Sequence, residues 1–477
     1  MLDKDGPEQQ ALRELLAERS PALLQIIANL MESNAALRAE VAALKERVSE
    51  LESQNRPPAA PFRRTPEQKK SPPGRPGRKP GHPGACRTIP AQIDAEAEVP
   101  LRLPEYCPQC GGAWSAPLPC VQYVEDLPPV RPRVHKITTW SAACTGCGHT
   151  AASTHPQQVS TAAGCAGVHL GARAQALAAA LKHGCGLTLS KTARVLKELC
   201  GLSITRGGLL HLFARMGGKL APAGEALHAE LLAGPVIHSD ETSWWVSEPA
   251  SLWVHAGPQV TLYRVVASRS RATFHETIAP DWQGVLVTDC LSVYDTATVR
   301  QQKCYAHHLR AVKTADADAV DPAAWIGPVR AMLKGAMRFK EEQHTLTNED
   351  RSARRRAFDL LAHTLLTRPR ADPAEERLRV RLEKQRDHLF TFLDHPAVEA
   401  TNNLAERELR PAVIARKLSC GHRTTAGAET WALLTSLVRT CARRATDFAD
   451  FTRPALLLAP SPGAKHILFV ITLRRAE

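Results

Sequence analysis

Asp240, Asp289 and Glu406 are the residues around which chemistry could be built. Asp240 closes the run Pro235-Val236-Ile237-His238-Ser239, Asp289 closes Gly284-Val285-Leu286-Val287-Thr288, and Glu406 stands in a polar, helix-like stretch further along. Apolar runs of this kind read as strands buried on both sides of the pleat, and the carboxyl ends of such strands are where a mixed sheet displays its chemistry. Three carboxylates gathered there would offer hard oxygen ligands to Mg²⁺, and a pair of such ions can clamp the attacking and leaving oxygens of a phosphodiester. A centre of that kind cuts or joins DNA. One aspartate at a strand end, taken singly, reads equally well as a turn residue or helix N-cap, so the argument rests on the three together.

The elements that must hold these acids are legible around them. Residues 251–257 and 260–268 predict two antiparallel strands after Asp240, and 284–289 predict a strand returning beside the first. The long stretch between Asp289 and Glu406 is mostly helical and charged, as at 351–356 and 375–388, and predicts a helical insertion that either touches DNA flanks or presents a solvated face. Glu406 is preferred over Glu399 and Glu408 because Asn402 and Asn403 precede it, three to four residues back on the same helix face, and Arg407 and Arg410 follow. Asn402, Asn403, Arg407 and Arg410 are therefore read as DNA-binding, with Asn403 either hydrogen-bonding DNA or orienting the carboxylate. His308 and Arg310, after Cys304, are read as holding the scissile phosphate or a 3′ end, since Arg matches phosphate oxygens in bidentate fashion. A zinc at Cys304, His307 and His308 is disfavoured for want of an evident fourth ligand. Arg416 and Lys417 are assigned to backbone phosphates, and Trp244, Trp245 and Trp253 are read first as core.

The wording around the acids is specific. Ser239-Asp240-Glu241-Thr242 leads, Asp289 follows with Tyr294 and Asp295 behind it, then come Cys304-Tyr305-Ala306-His307-His308-Leu309-Arg310 and Asn402-Asn403-Leu404-Ala405-Glu406-Arg407. This series resembles the DDE transposases of the insertion-sequence-66 family, which carry D-E-T, a D with a following Y, C-x-A-H-x-x-R and N-N-x-x-E-R in this order. The resemblance runs over nearly the whole chain. It implies a ribonuclease-H-like fold, Mg²⁺-dependent strand cleavage at element ends and strand transfer to target DNA, with Asp240, Asp289 and Glu406 as the catalytic triad and two Mg²⁺ per active site. Ser239 departs from it, standing where many relatives carry Ala. Accessory proteins encoded by the same element are candidate partners. The rival readings are a non-catalytic DNA-binding regulator, and a ribonuclease-H-like nuclease that cuts without joining.

Composition agrees with a nucleic-acid partner. The 477 residues hold 61 Lys+Arg against 48 Asp+Glu, a formal net charge of +13, which favours a polyanion over an acidic small substrate. A chain of this length exceeds a single core and predicts several domains. With no basic start leading into an apolar run, and no stretch of ~18 uncharged apolar residues, neither secretion nor a membrane partner is expected, and the reading is cytoplasmic and nucleoid-associated.

Six segments are expected. Residues 1–55 form a leucine-zipper-like coiled coil: Leu30, Leu37, Leu44 and Leu51 recur every seven residues, with Ile27, Asn34, Val41 and Val48 three before each. β-Branched a positions over d-position leucines, with one a-position Asn, predict a parallel homodimer. Residues 56–100 form a basic Pro/Gly-rich linker in which Arg75, Arg78 and Lys79 track phosphates or enter a minor groove, if the segment is not a plain tether. Residues 101–155 form a zinc ribbon, with Cys107, Cys110, Cys144 and Cys147 in two C-x-x-C turns, each followed by glycine. Four thiolates close the coordination sphere, so this Zn²⁺ is structural. Residues 165–220 form a helical region, either a helix-turn-helix with Arg206 at the reading end of its second helix or a structural bundle bracing the catalytic domain. Residues 230–420 form the catalytic domain, with the helical insertion at about 310–395, and 421–477 a C-terminal helical part and tail.

Overall fold

The computed structural model describes residues 29–30, 32–38, 40–41, 44, 88–95, 97, 102–116, 118–162, 167–296 and 299–458. Arg75, Arg78, Lys79 and the zipper positions Ile27, Val48 and Leu51 lie outside the described residues. The chain divides into two compact units, Met1–His82 and Pro83–Glu477. In the first, the described residues between 29 and 44 are helical, and the heptad residues Leu30, Leu37, Val41 and Leu44 are all exposed.

The second unit is built on a five-stranded mixed sheet. Its strands are β3 (Val236–Val246), β4 (Glu248–Ala256), β5 (Thr261–Val266), β6 (Val285–Thr288) and β7 (Arg300–Lys303), after a small exposed hairpin of β1 (Ser141–Ala143) and β2 (Thr150–Ala152). The spatial order is β5-β4-β3-β6-β7. β3 pairs antiparallel with β4 and parallel with β6, β4 antiparallel with β5, and β6 parallel with β7. The three strands expected after Asp240 are therefore present, with the third returning beside the first. β7 is a strand that the hydrophobic pattern does not announce, because its sequence is Arg-Gln-Gln-Lys. Its buried glutamines are held by specific bonds instead: Gln301 donates to the Tyr294 carbonyl at 2.7 Å, and Gln302 accepts from the Phe392 amide at 2.9 Å.

Helices cover both faces. On one face Ile237, Trp253, Leu262 and Leu286 pack against α1 (Ala172–Ala179), α3 (Arg206–Ala233) and the far helices α11 (Thr425–Arg443) and α12 (Phe448–Leu456). The other face, through Val236, Val285 and Val287, meets α5 (Tyr305–Asp318), α6 (Ile326–Glu342), α7 (Asn348–Leu366) and α8 (Pro373–Lys384). α10 (Asn403–Ser419) lies against β3 and β4, where Ala405, Leu409 and Ala412 share a cluster with Trp244, Leu252 and Val254. Short α4 (Arg271–His275) and α9 (Thr391–Asp394) complete the set.

The pair proposed as helix-turn-helix has a definite local logic. Thr188 caps α2 (Leu189–Cys200), Gly201 ends it at φ 65°, and Thr205 caps α3. α3 is not a short recognition helix but runs for 28 residues. A side chain at Gly224 would press on Leu433 and one at Gly217 on Thr430, so these glycines let α11 close onto α3. The region shares one core with the sheet.

β5 is an edge strand, and α11 lies along it. Ser436 Oγ accepts from the Tyr263 amide at 2.8 Å, and Thr440 Oγ1 accepts from the Thr261 amide at 3.0 Å, so hydroxyls occupy backbone donors that a further strand would use. Tyr263 in turn donates its hydroxyl to the Glu408 carbonyl at 2.5 Å. The Glu408 carboxylate is buried and meets the Arg439 guanidinium by two bonds of 3.0 Å, fastening α10 to α11.

Candidate active site

Strand register places the two aspartates. Val236, Ile237 and His238 stand opposite Val285, Leu286 and Val287, and continuing this register by two residues sets Asp240 beside Asp289. Neighbouring parallel strands are ~4.8 Å apart and aligned residues point to one face. That face is the one bearing Val236, Val285 and Val287, over which α5 packs. Asp240 sits within β3, not at its end as the sequence suggested, and its Oδ1 accepts from the Glu241 amide; Asp289, just past β6, accepts at Oδ1 from the Leu291 amide, both at 2.9 Å.

Glu406 reaches the same place from the first turn of α10. Asn402, just before that helix, is buried. Its Nδ2 donates to the Ser239 carbonyl at 2.7 Å and its backbone amide to Cys304 Sγ at 3.2 Å. Tyr305, opening α5, donates its amide to the Ala400 carbonyl at 2.9 Å. The helices carrying His307 and Glu406 are thus tied to each other and to the residue preceding Asp240. Glu406 Oε1 lies 3.8 Å from His307 Nδ1 and 3.6 Å from Arg310 Nη2.

Electrostatics register the convergence. Burial, then the charges of Glu241, Asp289 and Glu406, push the Asp240 carboxyl up to about 7 despite the bond from the Glu241 amide. Glu241 is on the opposite side of β3, where Tyr294 donates its hydroxyl to Oε2 at 2.9 Å and Arg269 stands 3.9 Å from Oε1. Burial and the Asp289 charge raise its carboxyl too. Lys303 is wholly buried at the end of β7, 3.2 Å from Thr288 Oγ1 and 3.7 Å from Asp295.

The residues assigned to DNA divide. Arg310, Asn403, Arg407, Arg410, Lys417 and Arg206 are exposed. His308 is not: it is fully buried with Nε2 4.0 Å from Cys290 Sγ, and burial lowers its pKa to about 3, so it is a neutral core imidazole without access to a phosphate. Asn402 is likewise unavailable, its amide being committed to the Ser239 carbonyl. Arg416 is half-buried, and its Nη1 is spent on β3, at Thr242 Oγ1 (3.0 Å) and at the Ser243 hydroxyl and carbonyl. Of the tryptophans, Trp244 and Trp253 are core and Trp245 is exposed. Sequence reasoning weighed His307 only as a zinc ligand beside Cys304 and His308, whereas the structure sets it, one turn beyond Cys304, against Glu406.

The cysteine turns are formed individually. Gly111 and Gly148, at φ +70° and +74°, return amides to the carbonyls of Cys107 (2.8 Å) and Cys144 (2.9 Å). Backbone amides lower the thiol pKa of Cys107 and of Cys144. No three of Cys107, Cys110, Cys144 and Cys147 bring their sulfurs within 4.8 Å of one another; among the described residues Cys304, His307 and Glu406 are the group that does gather ligand atoms so closely. Among the described residues no helix is long and apolar enough to cross a membrane.

Comparison with known proteins places this arrangement. Over 321 residues the chain is 23% identical to the "Uncharacterized protein y4qI" of Sinorhizobium fredii, a match that takes in 60% of this chain and 58% of that protein. The model of the Transposase IS66 family matches residues 167–430, which contain Asp240, Asp289 and Glu406. That span is more than half of the sequence and holds the whole five-stranded sheet, and on it the chain belongs to the IS66 family of transposases.

Proposed function

We propose that this transposase is of the DDE type, with Asp240, Asp289 and Glu406 as its catalytic acids, binding element ends and carrying out DNA strand cleavage and strand transfer. The observation that carries the reading is the register of β3 and β6, which aligns Asp240 with Asp289, with Glu406 brought to them by the Asn402 clamp. Three antiparallel strands continued by two parallel ones, in the order β5-β4-β3-β6-β7, support a ribonuclease-H-like domain.

The donor set fits Mg²⁺. It consists of carboxylate oxygens, and Asp240 carries a raised pKa among Glu241, Asp289 and Glu406, a charge arrangement that a cation relieves. Asp240, Asp289 and Glu406 would hold the metal, which when bound supplies Lewis acidity toward phosphodiester oxygens. Arg310, exposed beside Glu406, is placed to hold a phosphate, and Asn403, Arg407 and Arg410 on α10 are available to the backbone of bound DNA. Zn²⁺ at Cys107, Cys110, Cys144 and Cys147 is proposed as structural, on the donor chemistry and the two formed knuckles, and dimerisation on the exposed heptad residues Leu30, Leu37, Val41 and Leu44.

The test combines purified chain, labelled element ends, a target duplex and Mg²⁺. Nicked and joined products are expected from the native sequence and neither from Asp289→Asn or Glu406→Gln, with end binding retained. Nicking without joining would restrict the protein to a nuclease, and unimpaired nicking by either variant would remove the acids from the mechanism.

A further inference from the structure

We infer that Cys304, His307 and Glu406 form a site for a soft divalent transition metal of the zinc class, distinct in chemistry from the proposed Mg²⁺ position. One thiol sulfur, one imidazole nitrogen and one carboxylate oxygen lie within 4.8 Å of one another. Tetrahedral zinc, with ligand bonds of about 2.0–2.3 Å, sets its ligand atoms about 3.5 Å apart, and His307 Nδ1 stands 3.8 Å from Glu406 Oε1.

A second observation points the same way. His307 Nδ1 and Glu406 Oε1 are both buried and both lack a hydrogen-bond partner. Two unsatisfied polar atoms facing each other across a thiol are costly unless something is bound between them. Arg310 Nη2, 3.6 Å from the same carboxylate oxygen, is the competing cation, but its side chain is 63% exposed and free to turn outward.

The ligands are held before any ion arrives. Cys304 is the N-cap of α5, its amide donates to the Thr288 carbonyl at 2.8 Å, and its sulfur accepts from the Asn402 amide at 3.2 Å. His307 follows one turn later, and Glu406 is fixed on α10. Three protein ligands leave a fourth position open. Asp289 borders it, because Thr288 stands opposite Lys303 and the next pair in that register is Asp289 and Cys304. Thiolate and imidazole select zinc or cobalt over Mg²⁺, which demands oxygen donors. Glu406 is common to both sites, so an ion here competes for the third acid.

The full chain, stripped of metal, reloaded with Zn²⁺ and desalted, is the material for the test. Cys304→Ser and His307→Gln should each hold one zinc equivalent fewer than the native chain, with unchanged far-UV circular dichroism. Loaded with Co²⁺ in a Cys107→Ser/Cys144→Ser background, the protein should show a thiolate-to-cobalt charge-transfer band that Cys304→Ser abolishes. The inference is overturned if both variants retain the native zinc content, or if that background shows no thiolate band. Zinc content is read without DNA, so loss of this site and failure of the catalytic reading are separate outcomes.

Discussion

Asp240→Asn should stabilise the protein, and by an amount that depends on pH. In the folded chain the Asp240 carboxyl is pushed from 3.8 up to about 7, so between those values the folded state binds a proton that the unfolded chain has already released. The contribution is fully favourable below the unfolded pKa and is lost as pH rises through the folded one. At ~1.36 kcal/mol per pKa unit the deficit is about 1.5 kcal/mol at pH 5 and reaches about 4 kcal/mol at pH 8. Asparagine removes the charge, keeps the shape, and can still accept the Glu241 amide. Urea unfolding of the native chain and of the Asp240→Asn variant at pH 5 and pH 8 should therefore give a gain that widens with pH, while Mg²⁺ at pH 8 should stabilise the native sequence more than the variant. A gain independent of pH, or a loss of stability at pH 8, would refute the claim that buried like charges surround this carboxylate.

Other consequences can be measured with the same preparations. Arg439→Ala strands the buried Glu408 carboxylate and should cost about 3–5 kcal/mol in urea unfolding; a cost under about 1 kcal/mol would show the pair to be solvated. Asn402→Ala leaves the Ser239 carbonyl unpaired, which should cost about 1–3 kcal/mol and depress Mg²⁺-dependent nicking while end binding persists. Arg310→Ala should leave the urea midpoint in place, weaken DNA binding across sequences, and reduce the slope of log affinity against log salt by about 1.

β3 and β6 were legible because each opens in buried apolar residues, Val236-Ile237 and Val285-Leu286-Val287, but Asp240 does not end its strand as the sequence suggested, since β3 runs on past it to Val246 and pairs there with β4. Period-two reasoning could not find β7, whose buried Gln301, Gln302 and Lys303 are kept inside by specific partners and not by hydrophobicity. Linear proximity likewise misled at His308 and Asn402. Each is buried beside a neighbour that solvent reaches, the half-buried His307 and the exposed Asn403, and one residue along a helix is about a hundred degrees of rotation. The polar appearance of Asn402 reflects a bond to the Ser239 carbonyl, distant in sequence, and nothing local in the sequence announces that partner. The knuckle turns follow from C-x-x-C-G alone, each closed by an amide of its own glycine.

The hydroxyls that α11 lays along β5 bear on how copies of this protein can meet. A sheet border with open amides recruits extended segments from its neighbours, and Ser436 and Thr440 deny the Thr261 and Tyr263 amides to any such guest. A second copy of the chain is therefore denied strand addition at this border of the sheet.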